Sequence, residues 1–262
     1  MQDSYYKIIW YGDECGGKII EMKCGYPGAR EKSVEKVEKN GGDKETEFKE
    51  RLKNSISRTK NRIFEIAACN DFQWFFTGTL NPNWHDSGNL GEFRKKFTQM
   101  IRDFRKKTGC DVRYLLIPEQ HKSGAWHMHG LLGGLPVEML HKFSIVEHLP
   151  HKILNRVKEY DDVYNWEEYS RKFGFTTLTP IHDKAATTAY ITKYITKDCY
   201  SSAISNNNHM YYCSCGLKKA TILYEGYKNT GDGFGSISWD YENEYVKIKS
   251  IKAEELLKLY VY

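Results

Sequence analysis

The sequence predicts an α+β protein, and three observations carry that prediction. Short apolar runs come in neighbouring pairs, 4–11 with 18–23 and 113–118 with 126–132, as in β-hairpins. Two stretches, 44–68 and 90–107, repeat apolar residues at helical spacing. Single runs rich in aromatic and β-branched residues, which suit sheet surfaces, lie between and beyond them.

In order, SYYKIIWY (4–11) and KIIEMK (18–23) read as a hairpin, and 27–43 turns to Gly, Lys, Glu and Asn, a linker composition. Phe48, Leu52, Ile56, Ile63 and Ala67 then mark the inner face of a helix over 44–68. Its basic residues either lie along phosphates or form a solvated face balanced by glutamates. FQWFFTGTL (72–80) is a core strand with Phe75, Thr77 and Thr79 on one face, and Asn81-Pro82 stops it. Phe93, Phe97, Ile101 and Phe104 line the inner face of a helix over 90–107. Residues 136–173 read as helical pieces, 174–181 as a strand ending near Pro180, and 183–198 as a helix with Asp183 at its N-cap. Strands are expected near 210–215 and at 220–227, 234–240 and 244–249, with a last helix at 252–259. The chain thus divides into a hairpin and linker (1–43), a core (44–200) and a β-rich extension packed on the core (201–262).

Composition narrows the function classes. With 262 residues, 40% hydrophobic and 28% charged, the chain has the length and balance of a globular protein with a substantial core. No apolar run approaches a membrane span, and MQDSYYKIIWYGDE lacks a signal-peptide layout. Seven scattered cysteines suggest reduced thiols and a cytosolic setting. A net charge of +5 permits an anionic partner without demanding one. The 19 tyrosines among basic residues suit single-stranded nucleic acid, and equally suit half-buried sheet surfaces.

Two constellations carry chemistry. In EQHKSGAWHMHG (119–130), His127 and His129 stand two apart on a strand and share a face. If the bend centres near Lys122-Ser123, Glu119 falls opposite His127 on that same face. Two imidazoles and a carboxylate are a three-ligand set for a divalent cation, with positions open to substrate. A His-x-His pair is also compatible with plain polar surface. The second constellation is the tandem tetrad Tyr190-Ile191-Thr192-Lys193 and Tyr194-Ile195-Thr196-Lys197. Residues four apart share a helix face, so Tyr190 and Tyr194 stand side by side with Lys193 and Lys197 close by. A phenol with a pKa of about 10 is a poor nucleophile at neutral pH, and a neighbouring ammonium and a metal-polarised phosphate both help it. Cys199, His209, Cys213 and Cys215 could instead gather a zinc ion, although their spacing matches no standard pattern.

On FFTGTLNP (75–82), AWHMHGLL (125–132) and AYITKYITKD (189–198), with YYCSCGLKK (211–219) as a continuation, the chain resembles the HUH endonucleases. Within them it is similar to the two-tyrosine rolling-circle replication initiators of small phages and plasmids. The resemblance implies an RRM-like core with a central antiparallel sheet of about five strands, flanking helices, and the histidines on a middle strand. It also implies Mg²⁺ or Mn²⁺ at His127, His129 and Glu119, alternating nucleophiles Tyr190 and Tyr194, and supporting Lys193 and Lys197. The reaction implied is nicking and joining of single-stranded, hairpinned origin DNA through a 5′-phosphotyrosyl intermediate, in the cytoplasm of a bacterial host. No G-x-x-x-x-G-K-[ST] loop is present, so unwinding falls to a host helicase and extension to a host DNA polymerase. A transposase or relaxase of the same superfamily, or a non-enzymatic single-strand-binding repressor, are the competing readings.

Overall fold

The computed structural model describes residues 4–23, 44–81, 83–84, 86, 89–121, 125–196, 209–228 and 237–259. In chain order the elements are a hairpin of β1 (Ser4–Gly12) and β2 (Gly16–Met22), helix α1 (Lys44–Cys69), β3 (Trp74–Thr79), α2 (Leu90–Thr108), and a hairpin of β4 (Arg113–Gln120) and β5 (Trp126–Gly133). Small elements follow: β6 (His141–Lys142), α3 (His151–Glu159), β7 (Tyr164–Asn165) and α4 (Glu167–Ser170). Then come β8 (Thr176–Pro180), α5 (Lys184–Ile191), β9 (Tyr212–Cys213), β10 (Thr221–Lys228), β11 (Tyr241–Glu242), β12 (Val246–Ile251) and α6 (Ala253–Leu259). The class is α+β, as the hairpin and helix patterns predict, and both sheets are antiparallel. The expected linker at 27–43 and the loop at 201–208 lie outside the described residues.

The chain forms two compact units, 1–49 with 218–262, and 50–217. The first is a five-stranded sheet of order β10-β1-β2-β12-β11, with Tyr6, Ile8, Ile19 and Ile251 in its core. The N-terminal hairpin is therefore flanked by strands from the far end of the chain. A reading in consecutive segments separates these pieces. Of the strand expected at 234–240, the described residues 237–240 are not extended in a ladder, and pairing begins at Tyr241.

The second unit holds a sheet of order β6-β7-β8-β3-β5-β4-β9. It has seven strands rather than about five, because β6, β7 and β9 are two-residue strands too short to show a period. The four long strands put the histidine strand β5 between β3 and β4, in the middle, as expected. Alternation along β4 and β5 sends side chains to two cores. Tyr114, Leu116, Met128 and Leu132 pack under α2, whose Phe93, Phe97, Ile101 and Phe104 are all buried. Leu115, Ile117 and Leu131 pack on the other face with Ile63, Ile66 and Ala67 of α1 and with Ile191 and Ile195. Phe48, expected on the inner face of α1, is 58% exposed.

Gly130 shows why the histidine strand ends its motif in glycine. A Cβ there would lie 2.3 Å from the Leu115 carbonyl oxygen, so only glycine lets β4 and β5 close up.

Candidate active site

The β4–β5 register pairs Glu119 with His127 and Ile117 with His129, so the carboxylate and both imidazoles project from one face of the sheet. The residues of the bend itself, 122–124, lie outside the described residues. Glu119 bonds diagonally to His129, with Nε2 and Oε2 2.9 Å apart. On the opposite side, Thr77 of β3 stands across from His129 and meets its Nδ1 at 3.3 Å. The ring is thus held from both nitrogens and is mostly shielded from solvent, whereas Glu119 is half exposed. Burial pushes the His129 imidazole below the ordinary histidine value, against the opposing pull of Glu119. His127 is also lowered, by burial first and then by the neighbouring His121. Both rings are therefore neutral at pH 7, with a lone pair to offer.

His121 is a residue that sequence reasoning passed over. Its backbone N–H donates to the Ala125 carbonyl at 2.8 Å, and its ring lies 5.7 Å from that of His127. The signal was available, since His121 is two residues from Glu119 and so shares its face.

The tyrosines arrive over this face on the segment that follows β8. Asp183 caps α5, accepting from the Ala186 N–H at 2.8 Å, as the sequence predicts. The helix is shorter than the expected 183–198. It ends at Ile191 and tightens into a 3₁₀ turn at Thr192–Tyr194. β-Branched residues at 191, 192, 195 and 196 favour that ending, and a 3₁₀ turn brings residues three apart into line. Ile191 and Ile195 remain fully buried in the α1-side core and pin the turn to the sheet, each contributing roughly 1.5–3 kcal/mol.

The result is a compact arrangement of rings and one ammonium. Tyr194 lies flat on His129, with ring centroids 4.1 Å apart and planes 11° from parallel. Its hydroxyl donates to that of Tyr190 at 3.4 Å. Lys193 places its ammonium 3.4 Å from the centre of the Tyr190 ring and 5.1 Å from that of Tyr194. Phe75 of β3 props both phenols from below, edge-on to Tyr190 at 5.6 Å.

The two phenols differ electrostatically. Hydrogen bonding from Lys193, then from Tyr194, holds Tyr190 below the usual tyrosine value. Burial, with the hydrogen bond to Tyr190, pushes Tyr194 well above it. Arg156 of α3 favours the ionised form of both. No sequence pattern flagged Arg156, which comes from a separate helix more than thirty positions earlier in the chain. Lys197 and Cys199 lie outside the described residues.

Among the described residues, no three His, Cys, Asp or Glu side chains are gathered tightly enough to enclose an ion as they stand. Glu119 is turned to His129, and His127 lies beside His121. The donor chemistry nonetheless fits a divalent cation: two neutral imidazoles and a carboxylate on adjacent strands, on one face.

No helix among the described residues is long and apolar enough to cross a membrane. No curated protein and no solved structure matches the chain. Residues 73–199, which hold β3, the histidine hairpin and both tyrosines, match the family model of the replication-associated proteins of the ORF2 and gene II protein type. This segment, with the arrangement just described at its centre, is a replication-associated protein domain of that family.

Proposed function

We propose that this replication-associated protein initiates rolling-circle replication by nicking and rejoining single-stranded DNA through its tyrosines. The observation that carries the proposal is the meeting of two phenols, one ammonium and a His–Glu pair on a single sheet face. A phenol aimed at a phosphodiester is a nucleophile for transesterification, and two of them a helical turn apart allow alternate attacks.

His127, His129 and Glu119 would hold the cation, Mg²⁺ or Mn²⁺. When bound, it supplies Lewis-acid polarisation of a phosphate oxygen and helps seat the scissile bond. Lys193 stabilises the phenolate of Tyr190 and moves its proton off the oxygen. The phenolate oxygen attacks phosphorus, the P–O3′ bond breaks, and the 3′ oxygen leaves as a free hydroxyl after taking up a proton. The DNA stays linked by its 5′ phosphate to the tyrosine. After a round of synthesis, the second tyrosine cleaves the regenerated site. The freed 3′-OH then attacks the first linkage and closes a circle. The host polymerase and helicase enter only at the extension step.

The test works without a known origin sequence. The protein is incubated with a random single-stranded DNA pool and Mn²⁺, and material surviving denaturing electrophoresis as a protein–DNA adduct is sequenced. We expect one recovered motif, and the Tyr190→Phe, Tyr194→Phe double variant should bind that motif without forming adduct. Adduct from the double variant sinks the proposal. Binding without adduct from the wild type in either metal favours the non-enzymatic repressor.

A further inference from the structure

The edge of the catalytic sheet carries a second feature, outside the tyrosine site. Strand β9 is the edge strand of the described sheet, and it pairs with β4 through Leu115–Cys213 and Leu116–Tyr212. Ser214 locks it further, its N–H donating to the Tyr114 carbonyl and its hydroxyl accepting from the Tyr114 N–H, both at 3.0 Å. Between this strap and α2 lies a cavity of about 510 Å³. That volume sits within the roughly 300–1,000 Å³ typical of small-ligand sites.

The lining is specific in its chemistry. Arg94 of α2 puts its guanidinium 5.7 Å from the centre of the Tyr212 ring. His209 stands edge-on to the same ring, with centroids 6.1 Å apart. Tyr114 forms the buried wall and Thr98 the helix side. Residues four apart share a helix face, so exposed Arg94, Thr98 and exposed Arg102 continue as one polar, cationic stripe. A flat aromatic ring beside a guanidinium is what a nucleotide requires: a π-face for the base and a fork for its phosphate.

The placement connects the cavity to the chemistry. Tyr212 packs toward the α2-side core, while its neighbours Tyr211 and Cys213 pack with the core beneath the tyrosines. The strap is therefore the rim where the two faces of the sheet meet. The net positive charge of the chain also resides in this unit, since the acids and bases of the other unit nearly balance.

We propose that the cavity between α2 and β9 is a nucleotide subsite that holds one base of single-stranded DNA flanking the cleavage site, stacked on Tyr212 with its phosphate on Arg94. The inference rests on the proposed function only for its class of ligand. The test separates the two, because it is run in EDTA on the full-length Tyr190→Phe, Tyr194→Phe variant, where no covalent chemistry can occur.

A fluorescent sixteen-residue oligothymidylate is titrated by anisotropy, and its 5-iodo-deoxyuridine version is photo-crosslinked and mapped by mass spectrometry. Thymidine monophosphate serves as the free-nucleotide arm. Loss of one stacked base is worth about 1–3 kcal/mol, so Arg94→Ala and Tyr212→Leu should each weaken the oligonucleotide about five- to one-hundred-fold. Crosslinks should fall on the peptide containing Tyr212. Thr98→Trp, which fills the cavity from the helix side, should weaken binding equally and guards against misfolding of the other variants. Affinities within twofold of the parent, or crosslinks confined to other peptides, overturn the proposal. Monophosphate bound as tightly as the oligonucleotide overturns the assignment to a DNA strand.

Discussion

Tyr194 is stacked on His129 at 4.1 Å, whereas Tyr190, its neighbour one turn earlier, is 46% exposed and carries Lys193 over its ring. The stack is worth about 0.5–1.5 kcal/mol and occupies one face of the Tyr194 ring. The two phenols are therefore unequal before any DNA arrives. Tyr190 is expected to take the first phosphate. In a single turnover, mass spectrometry should find the first adduct on Tyr190. Tyr190→Phe should slow it by about two orders of magnitude or more, as loss of a nucleophile does. Tyr194→Phe should form the first adduct but fail at the second transfer.

Lys193 sets the pH at which that first attack proceeds. A cation beside Tyr190 depresses its pKa, so the phenolate accumulates at lower pH than in an ordinary tyrosine. The single-turnover rate should rise with pH and level off early. Lys193→Gln removes the ammonium, so its profile should move to higher pH and its rate near neutrality should fall roughly tenfold or more. Superimposable profiles for the two proteins would show that Lys193 acts elsewhere.

Metal removal separates binding from chemistry. Adduct yield in EDTA should drop to background and return with Mn²⁺ or Mg²⁺, while DNA binding persists. His129→Ala removes a ligand candidate that also supports Tyr194, and should abolish adduct in both metals. Glu119→Ala leaves two imidazoles, which bind Mn²⁺ better than Mg²⁺, so Mn²⁺ should rescue it preferentially. Calorimetric titration of the apo-protein with Mn²⁺ should show the same ranking.

Two glycines offer a stability contrast. Gly130→Ala drives a Cβ to within 2.3 Å of the Leu115 carbonyl, which forces two central strands apart. A cost of about 1–3 kcal/mol or more is expected in urea unfolding. Gly91, in the first turn of α2, meets only the Asn89 Oδ1 at 3.5 Å. Gly91→Ala should be neutral or gain up to about 1 kcal/mol from helix propensity.

What the sequence disclosed follows from what local pattern can encode. The period of two in His127-Met128-His129 defines a face, and hairpin closure placed Glu119 opposite His127 as expected. The tandem tetrad likewise put both tyrosines together. The 3₁₀ tightening at 192–194 was not legible, because the choice between four- and three-residue turns is made by where Ile191 and Ile195 can bury. Arg156 and the two-residue strands were hidden for a related reason. They are made by tertiary packing and leave no period in the chain. The first unit was opaque as a whole, since its ladder joins residues more than two hundred positions apart.

That last separation has a consequence for how the protein is made. Strand β1 is flanked by β2 and β10, and β2 by β1 and β12. During synthesis the hairpin must wait, with both outer edges unpaired, until residues 221–251 leave the ribosome. Unit 50–217 is already complete by then, and domains generally fold as units in the order they emerge. The replication domain should therefore mature first on the nascent chain, leaving a pair of open strand edges in search of partners. Protease protection of stalled chains should appear for the central unit before the hairpin.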